Sequence, residues 1–272
     1  MGGSLWDTPY SIVTDSTGHV YSSGTFQNTV DFDPGVGVYN LTSAGQDDIY
    51  ISKLDSSGNF IFTKSFGGTW IEYSPMMVLD ASENLYVTGM FQDTVDFDPG
   101  PATLNLITAG NYDGFILKMD PNGNLNWAKR FGGTNWDQAR SIAMSPAGNV
   151  YLAGAFMGTS DLDPGSGITT MTTVGNEHNI FVSRLTPAGD LVWAKQMPAT
   201  ITNNEPSIAL GIAVDANEMV YTTGLFRDTV DFDPGPGVFN MVSSGQSDIF
   251  LSILSSSGNY LWAGKMGSSL DD

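Results

Sequence analysis

Short apolar runs and period-two alternation dominate this chain, and no useful length of it carries a helical apolar period. One segment displays the whole pattern. Met76-Met77-Val78-Leu79 is a short apolar run suited to a strand buried on both faces, and Asp80 to Asn84 follows as a polar turn. Leu85 to Phe91 is rich in β-formers and alternates. Thr94 to Asp98 alternates again, and Pro99-Gly100 ends it. Thr103 to Thr108 reads as the returning arm of a hairpin, and Gly114 to Met119 as the next strand. Asp120-Pro121-Asn122-Gly123-Asn124 is built from turn residues. Leu125 to Phe131 is a last strand broken by Gly132-Gly133. The segment therefore predicts four main strands and one extra hairpin.

The same segment recurs. Asp31-Phe32-Asp33-Pro34-Gly35 reappears at Asp96 to Gly100, at Asp161 to Gly165 with Leu162 for Phe, and at Asp231 to Gly235, with offsets of 65, 65 and 70. Tyr21, Tyr86, Tyr151 and Tyr221 keep step, as do Phe26, Phe91, Phe156 and Phe226. Four copies, approximately 1–66, 67–131, 132–197 and 198–272, fill a single predicted domain. The surplus residues of the last copy lie mainly in Pro198 to Pro206, where a loop absorbs them. A four-stranded antiparallel sheet repeated radially is a propeller blade, so the fold expected is an all-β propeller of four blades with an extra DFDPG hairpin each. The termini resemble one another: Met1 to Asp7 and Met266 to Asp271 both resemble the inter-repeat segment Phe131 to Asp137. A closed four-blade ring is favoured. A piece of a larger ring and an end-to-end assembly also fit.

Charge narrows the function. Against 29 acidic residues stand 10 basic ones, a net charge of -19. That argues against nucleic-acid binding, which needs clustered Lys and Arg, and against docking on anionic lipid. No cysteine is available for a disulfide, thiol nucleophile or zinc site. No apolar run reaches membrane-spanning length, and no segment reads as an export signal.

The Asp-x-Asp pairs are the candidate metal ligands: Asp31 with Asp33, Asp96 with Asp98, Asp161 with Asp163, and Asp231 with Asp233. Strand alternation would point both carboxylates of a pair the same way, and calcium prefers such oxygens. The competing reading is a turn, in which Asp accepts backbone bonds, Pro presets φ and Gly allows positive φ. A second acid column, Asp7, Glu72, Asp137 and Glu205, precedes the first strand of each copy. These acids either ring a channel mouth or cap their own loops. Another column, Asp48, Asp113 and Asp248, has Asn179 in the third copy. Phe62, Trp127, Trp193 and Trp262 are expected to pack between repeats, whereas Trp6, Trp70 and Trp136, in the connecting loops, are candidate contact aromatics. His19 and His178 do not recur, and neither sits in a catalytic signature.

Trp127 to Thr134, Ser141-Ile142-Ala143, Gly148 to Tyr151 and Asp248 to Leu251 resemble bacterial β-propeller repeats of the SBBP type, over essentially the whole chain. The resemblance implies a propeller in a secreted or surface-attached bacterial protein, and brings no catalytic residues with it. The function expected is a non-enzymatic extracellular binding or scaffold module, with calcium as its one candidate cofactor, contacting protein, glycan or itself. A carbohydrate-active enzyme using the channel-mouth acids, and a subunit of a surface fibre or layer, are the alternatives.

Overall fold

The computed structural model describes residues 2–175, 177–200 and 206–270, and every regular element among them is a β-strand. The chain divides into two compact units, Met1–Arg130 and Phe131–Asp272, each holding two of the sequence repeats.

The first unit opens with β1 (Asp7–Thr14), β2 (Val20–Phe26), β3 (Thr29–Asp31), β4 (Asn40–Thr42), β5 (Asp48–Leu54) and β6 (Phe60–Phe66). Its sheet is the antiparallel order β1-β2-β5-β6, with β3-β4 as a separate hairpin. Then come β7 (Tyr73–Leu79), β8 (Leu85–Asp96), β9 (Asn105–Met119) and β10 (Leu125–Gly133), paired in that order. Here the hairpin is the far end of the long strands β8 and β9, with Thr94 opposite Ile107.

The second unit repeats both forms. Strands β11 (Asp137–Met144), β12 (Val150–Met157), β13 (Thr159–Asp161), β14 (Thr170–Thr172), β15 (His178–Leu185) and β16 (Leu191–Met197) give the order β11-β12-β15-β16, with β13-β14 as hairpin. Strands β17 (Ala199–Thr200), β18 (Ile208–Val214), β19 (Val220–Asp231), β20 (Asn240–Leu254) and β21 (Tyr260–Met266) follow. Strands β18, β19, β20 and β21 form the sheet, and β17 pairs with the hairpin end of β19.

One device bends every hairpin away from its sheet. Asn28, Asp93, Gly158 and Asp228 occupy equivalent positions, and all four have positive φ, between 49° and 71°. Asn, Asp and Gly are the residues that visit this region most readily. Each N–H there donates to a hydroxyl on the returning arm, that of Ser43, Thr108, Thr173 or Ser243. The kink and its latch thus recur in all four repeats.

The motif phenylalanine ties the bent hairpin back to the core. Phe32 lies edge-on to Phe26 at 5.2 Å and against Tyr50 at 4.9 Å. Phe97 meets Phe91 and Phe115 at 5.3 and 4.9 Å, and Phe232 meets Phe226 and Phe250 at 5.5 and 5.0 Å. Rings at these spacings add about 0.5–1.5 kcal/mol per pair beyond the area they bury.

Candidate functional site

The Asp-x-Asp pairs are turn elements in all four copies. Asp31 Oδ1 accepts the N–H groups of Asp33 and Tyr39, at 3.1 and 2.8 Å, and Asp33 Oδ1 accepts that of Gly35 at 2.7 Å. Asp96 binds Asp98 and Leu104, and Asp161 binds Asp163 and Thr169. Asp231 binds Asp233 and Phe239, while Asp98, Asp163 and Asp233 bind the motif glycine. The alternation argument stops at the first aspartate, because β3 and its counterparts end there. The second aspartate sits in the loop, where Gly37, Gly167 and Gly237 pack so closely that a Cβ would overlap the carboxyls of Asp33, Asp163 and Asp233. Among the described residues no three carboxylate or histidine groups gather as a metal cluster. Beyond the turns the loop tips expose apolar side chains, with Val36, Val38, Ile168 and Val238 all above 70% exposed.

The acids at the start of the first strand of each repeat, Asp7 and Asp137 within it and Glu72 just ahead of it, cap their own connectors. Asp7, Glu72 and Asp137 accept the N–H of the glycine four residues earlier, Gly3, Gly68 and Gly133. Asp7 is exposed and lines a shallow pocket with Phe26, Phe32 and Tyr50. Glu72 and Asp137 are fully buried, and Asp137 also accepts the Ser160 hydroxyl. Glu205 lies outside the described residues.

The column at Asp48 differs most between repeats. On the neighbouring strand of each sheet stands one partner position, occupied by Ser65, Arg130, Gln196 or Lys265. Arg130 pairs with Asp113, Lys265 Nζ lies 3.0 Å from Asp248 Oδ2, and Asn179 Nδ2 donates to Gln196 Oε1 at 3.3 Å. For Asp48 the corresponding position holds the uncharged Ser65. Burial pushes its carboxyl up to about 6 despite the N–H groups of Ala44 and Gly45. Burial opposes ionisation of Asp248 too, but Lys265 and Ser244 outweigh it and hold that group below its ordinary value. Asp113 stays raised by burial, with the Ala109 N–H and Arg130 acting against the rise.

Phe62, Trp127 and Trp193 lie edge-on to Tyr21, Tyr86 and Tyr151 at 6.5, 6.0 and 6.2 Å. The Trp193 Nε1–H donates to the Ser256 carbonyl in the next repeat, whereas Trp262 is 47% exposed. Trp6, Trp70 and Trp136 are exposed to differing degrees, Trp6 the most at 78%. His19 completes a turn on Asp15, with Nδ1 2.8 Å from Oδ2. His178 lies under Trp136, and burial lowers its pKa.

The sequence reading missed the cations that face the repeated tyrosines. Lys53 and Lys118 sit 4.6 and 4.7 Å from the rings of Tyr21 and Tyr86, and Arg184 lies over Tyr151. Lys118 also pairs with Asp80, and Arg184 with Glu218. The signal was visible as a Lys53, Lys118, Arg184 column at the repeat offset.

No family model matches the chain. It is similar to an uncharacterized WD repeat-containing protein of Acanthamoeba polyphaga mimivirus, 22% identical over 244 residues that make up 79% of this chain and 18% of that protein. It is also similar to regulatory protein FlaEY of Caulobacter vibrioides, 27% identical over 172 residues, covering 60% of this chain and 18% of that protein. The chain thus spans less than a fifth of the length of these relatives. A crystal structure of a Bacteroides caccae protein of unknown function aligns with 96% of this chain and 82% of its own, at 12% identity and a TM-score of 0.37. The WD-repeat likeness and the antiparallel four-stranded repeats agree on a propeller-like all-β repeat protein.

Proposed function

We propose that the chain is a non-enzymatic binding or scaffold module, built from four propeller blades of the SBBP kind and working outside the cell. The carrying observation is the contrast inside each DFDPG hairpin: its base is held by three main-chain hydrogen bonds to two carboxylates, and its tip presents apolar side chains to solvent. Rigid loops on a repeated sheet bind with little ordering cost, which favours contact with protein, glycan or a second copy. In this reading the Asp pairs form turns, and calcium acts, if bound, as an added brace on them. The burial of Glu72 and Asp137 leaves a glycan no access to these carboxyls, which weighs against the glycosidase alternative.

The test is a glycan array and light scattering with and without calcium, run on the wild type and on a V36S/V238S variant, together with a turnover screen on glycosides. Binding or self-association that the variant loses at unchanged melting temperature supports the proposal. Turnover abolished by Asp7→Asn or Glu72→Gln would overturn it. A calcium-dependent rise in melting temperature, lost on Asp31→Asn, would make the Asp pairs metal ligands.

A further inference from the structure

The connector between the first and second repeats holds two buried carboxyls, and among the described residues no cation pairs with either. Asp48 is 3% exposed and Glu72 is fully buried. Both pack on one dipeptide: a Cβ on Gly67 would overlap the Asp48 carboxyl, and Glu72 Oε2 accepts the Gly68 N–H. Asp48 Oδ1 and Glu72 Oε1 are sealed from solvent and accept no hydrogen bond; Asp113 and Asp248 leave the same Oδ1 unpartnered, but each has a cation on Oδ2. The sister repeats show what such a carboxyl requires, since Asp113 has Arg130, Asp248 has Lys265, and the third repeat replaces the pair by the neutral Asn179 and Gln196. Only the first repeat keeps the acid while placing Ser65 at the cation position.

We infer that the buried Asp48 and Glu72 hold one proton between them at neutral pH and so form a pH-sensitive clasp on the first connector. Two carboxyls this dry, packed on adjacent glycines, do not both ionise without compensation. A calcium ion needs six to eight oxygens, and the pair leaves two free. A proton needs one donor and one acceptor, and it fits where no water-sized space is required. Among the described residues, the groups acting on the pair supply no positive charge. Asp47 adds a like charge, with Oδ1 held by the Gln27 amide, and the hydroxyl groups nearby are those of Tyr73 and Tyr112. Burial, with Asp48 and Asp47 adding to it, pushes Glu72 up to about 9.

The clasp acts on backbone. The Glu72 N–H donates to the Asp47 carbonyl at 3.0 Å, Gln46 N–H donates to the Trp70 carbonyl at 3.2 Å, and Ile71 bridges Asp47. Loss of that proton leaves two buried anions at this strip and loosens it, so the exposed Trp70 gains freedom as pH rises.

The experiment is a carbon-detected NMR titration of side-chain carboxyls on the full chain, with melting temperature followed from pH 5 to 9. The wild type is expected to show one carboxyl titrating above pH 7, absent in Glu72→Gln, and a melting temperature that falls with pH. Ser65→Arg restores the sister arrangement and shifts that titration down by at least tenfold in proton affinity. Titration of every carboxyl below pH 5 would overturn the inference. Calcium that raises the wild-type melting temperature but not that of Glu72→Gln would overturn it in favour of a metal site. If Glu72→Gln does not fold, the Ser65→Arg shift still decides.

Discussion

The Asp48 region of the first unit and the Asp248 region of the second start from one repeat plan and end with opposite electrostatics. Both aspartates lie in the equivalent strand, β5 and β20, accept an N–H from four residues back, and press on the glycine that follows the last strand. Across the sheet stands Ser65 in one and Lys265 in the other, and beside the aspartate stands Asp47 in one and Ser247 in the other. Backbone geometry therefore copies itself between repeats, while the charge state of a buried group is reset by its neighbouring side chains. Burying an unpaired carboxylate is costly, and the four repeats meet that cost in three ways: a cation in the second and fourth, a neutral amide pair in the third and a proton in the first.

The sharpest way to break the comparison is to make the neutral repeat acidic. Asn179→Asp leaves a buried carboxylate facing Gln196, and we expect a loss of about 3 kcal/mol at pH 8 by denaturant unfolding, shrinking at pH 5. Adding Gln196→Arg should recover most of it. Next in size, Lys265→Met strips Asp248 of its cation. The expected loss is about 2 kcal/mol, below the value for a sealed pair because the lysine side chain is 35% exposed.

The pH limbs sharpen the contrast further. Asp248 is held below its ordinary value, so its contribution is present above the unfolded pKa and is lost as acid titrates it. Glu72 is raised from 4.5 to about 9, so the native state binds the extra proton and stability falls as pH rises across that window. Melting curves of Lys265→Met should lose the acid limb and gain a second alkaline one. A smaller effect is expected at the kink, where Asp93→Gly at φ 62° should be neutral to slightly stabilising and Asp93→Val should cost about 1 kcal/mol. Asp31→Asn should cost least, about 0.5 kcal/mol, because the amide oxygen still accepts both N–H groups.

Much of this was legible before any coordinates. The Tyr21 and Phe26 columns, with the Asp-x-Asp-Pro-Gly repeat, predict the strands, the hairpin and the antiparallel order found, because period-two burial and turn chemistry are local. The turn role of Asp31 and Asp33 was one of two open readings, since residue types alone do not say which atoms already have partners. Glu72 illustrates what was hidden. In sequence it stands in one column with Asp7, yet Asp7 is exposed and Glu72 is sealed, and only packing distinguishes them. The Ser65, Arg130, Gln196, Lys265 column was in view, but its meaning depends on cross-strand register. The Asn28, Asp93, Gly158, Asp228 column was equally visible, and its small polar and glycine members signal positive φ.

That kink also separates two registers. The sheet pairs Phe91 with Asp113 and the hairpin pairs Thr94 with Ile107, and the irregularity between them takes up any mismatch. Residues inserted at the tip beyond Pro99 would slide the hairpin's own pairing and leave the sheet's untouched. Each repeat thus carries a built-in graft point, where foreign loop sequence is accepted without recalculating the fold beneath it.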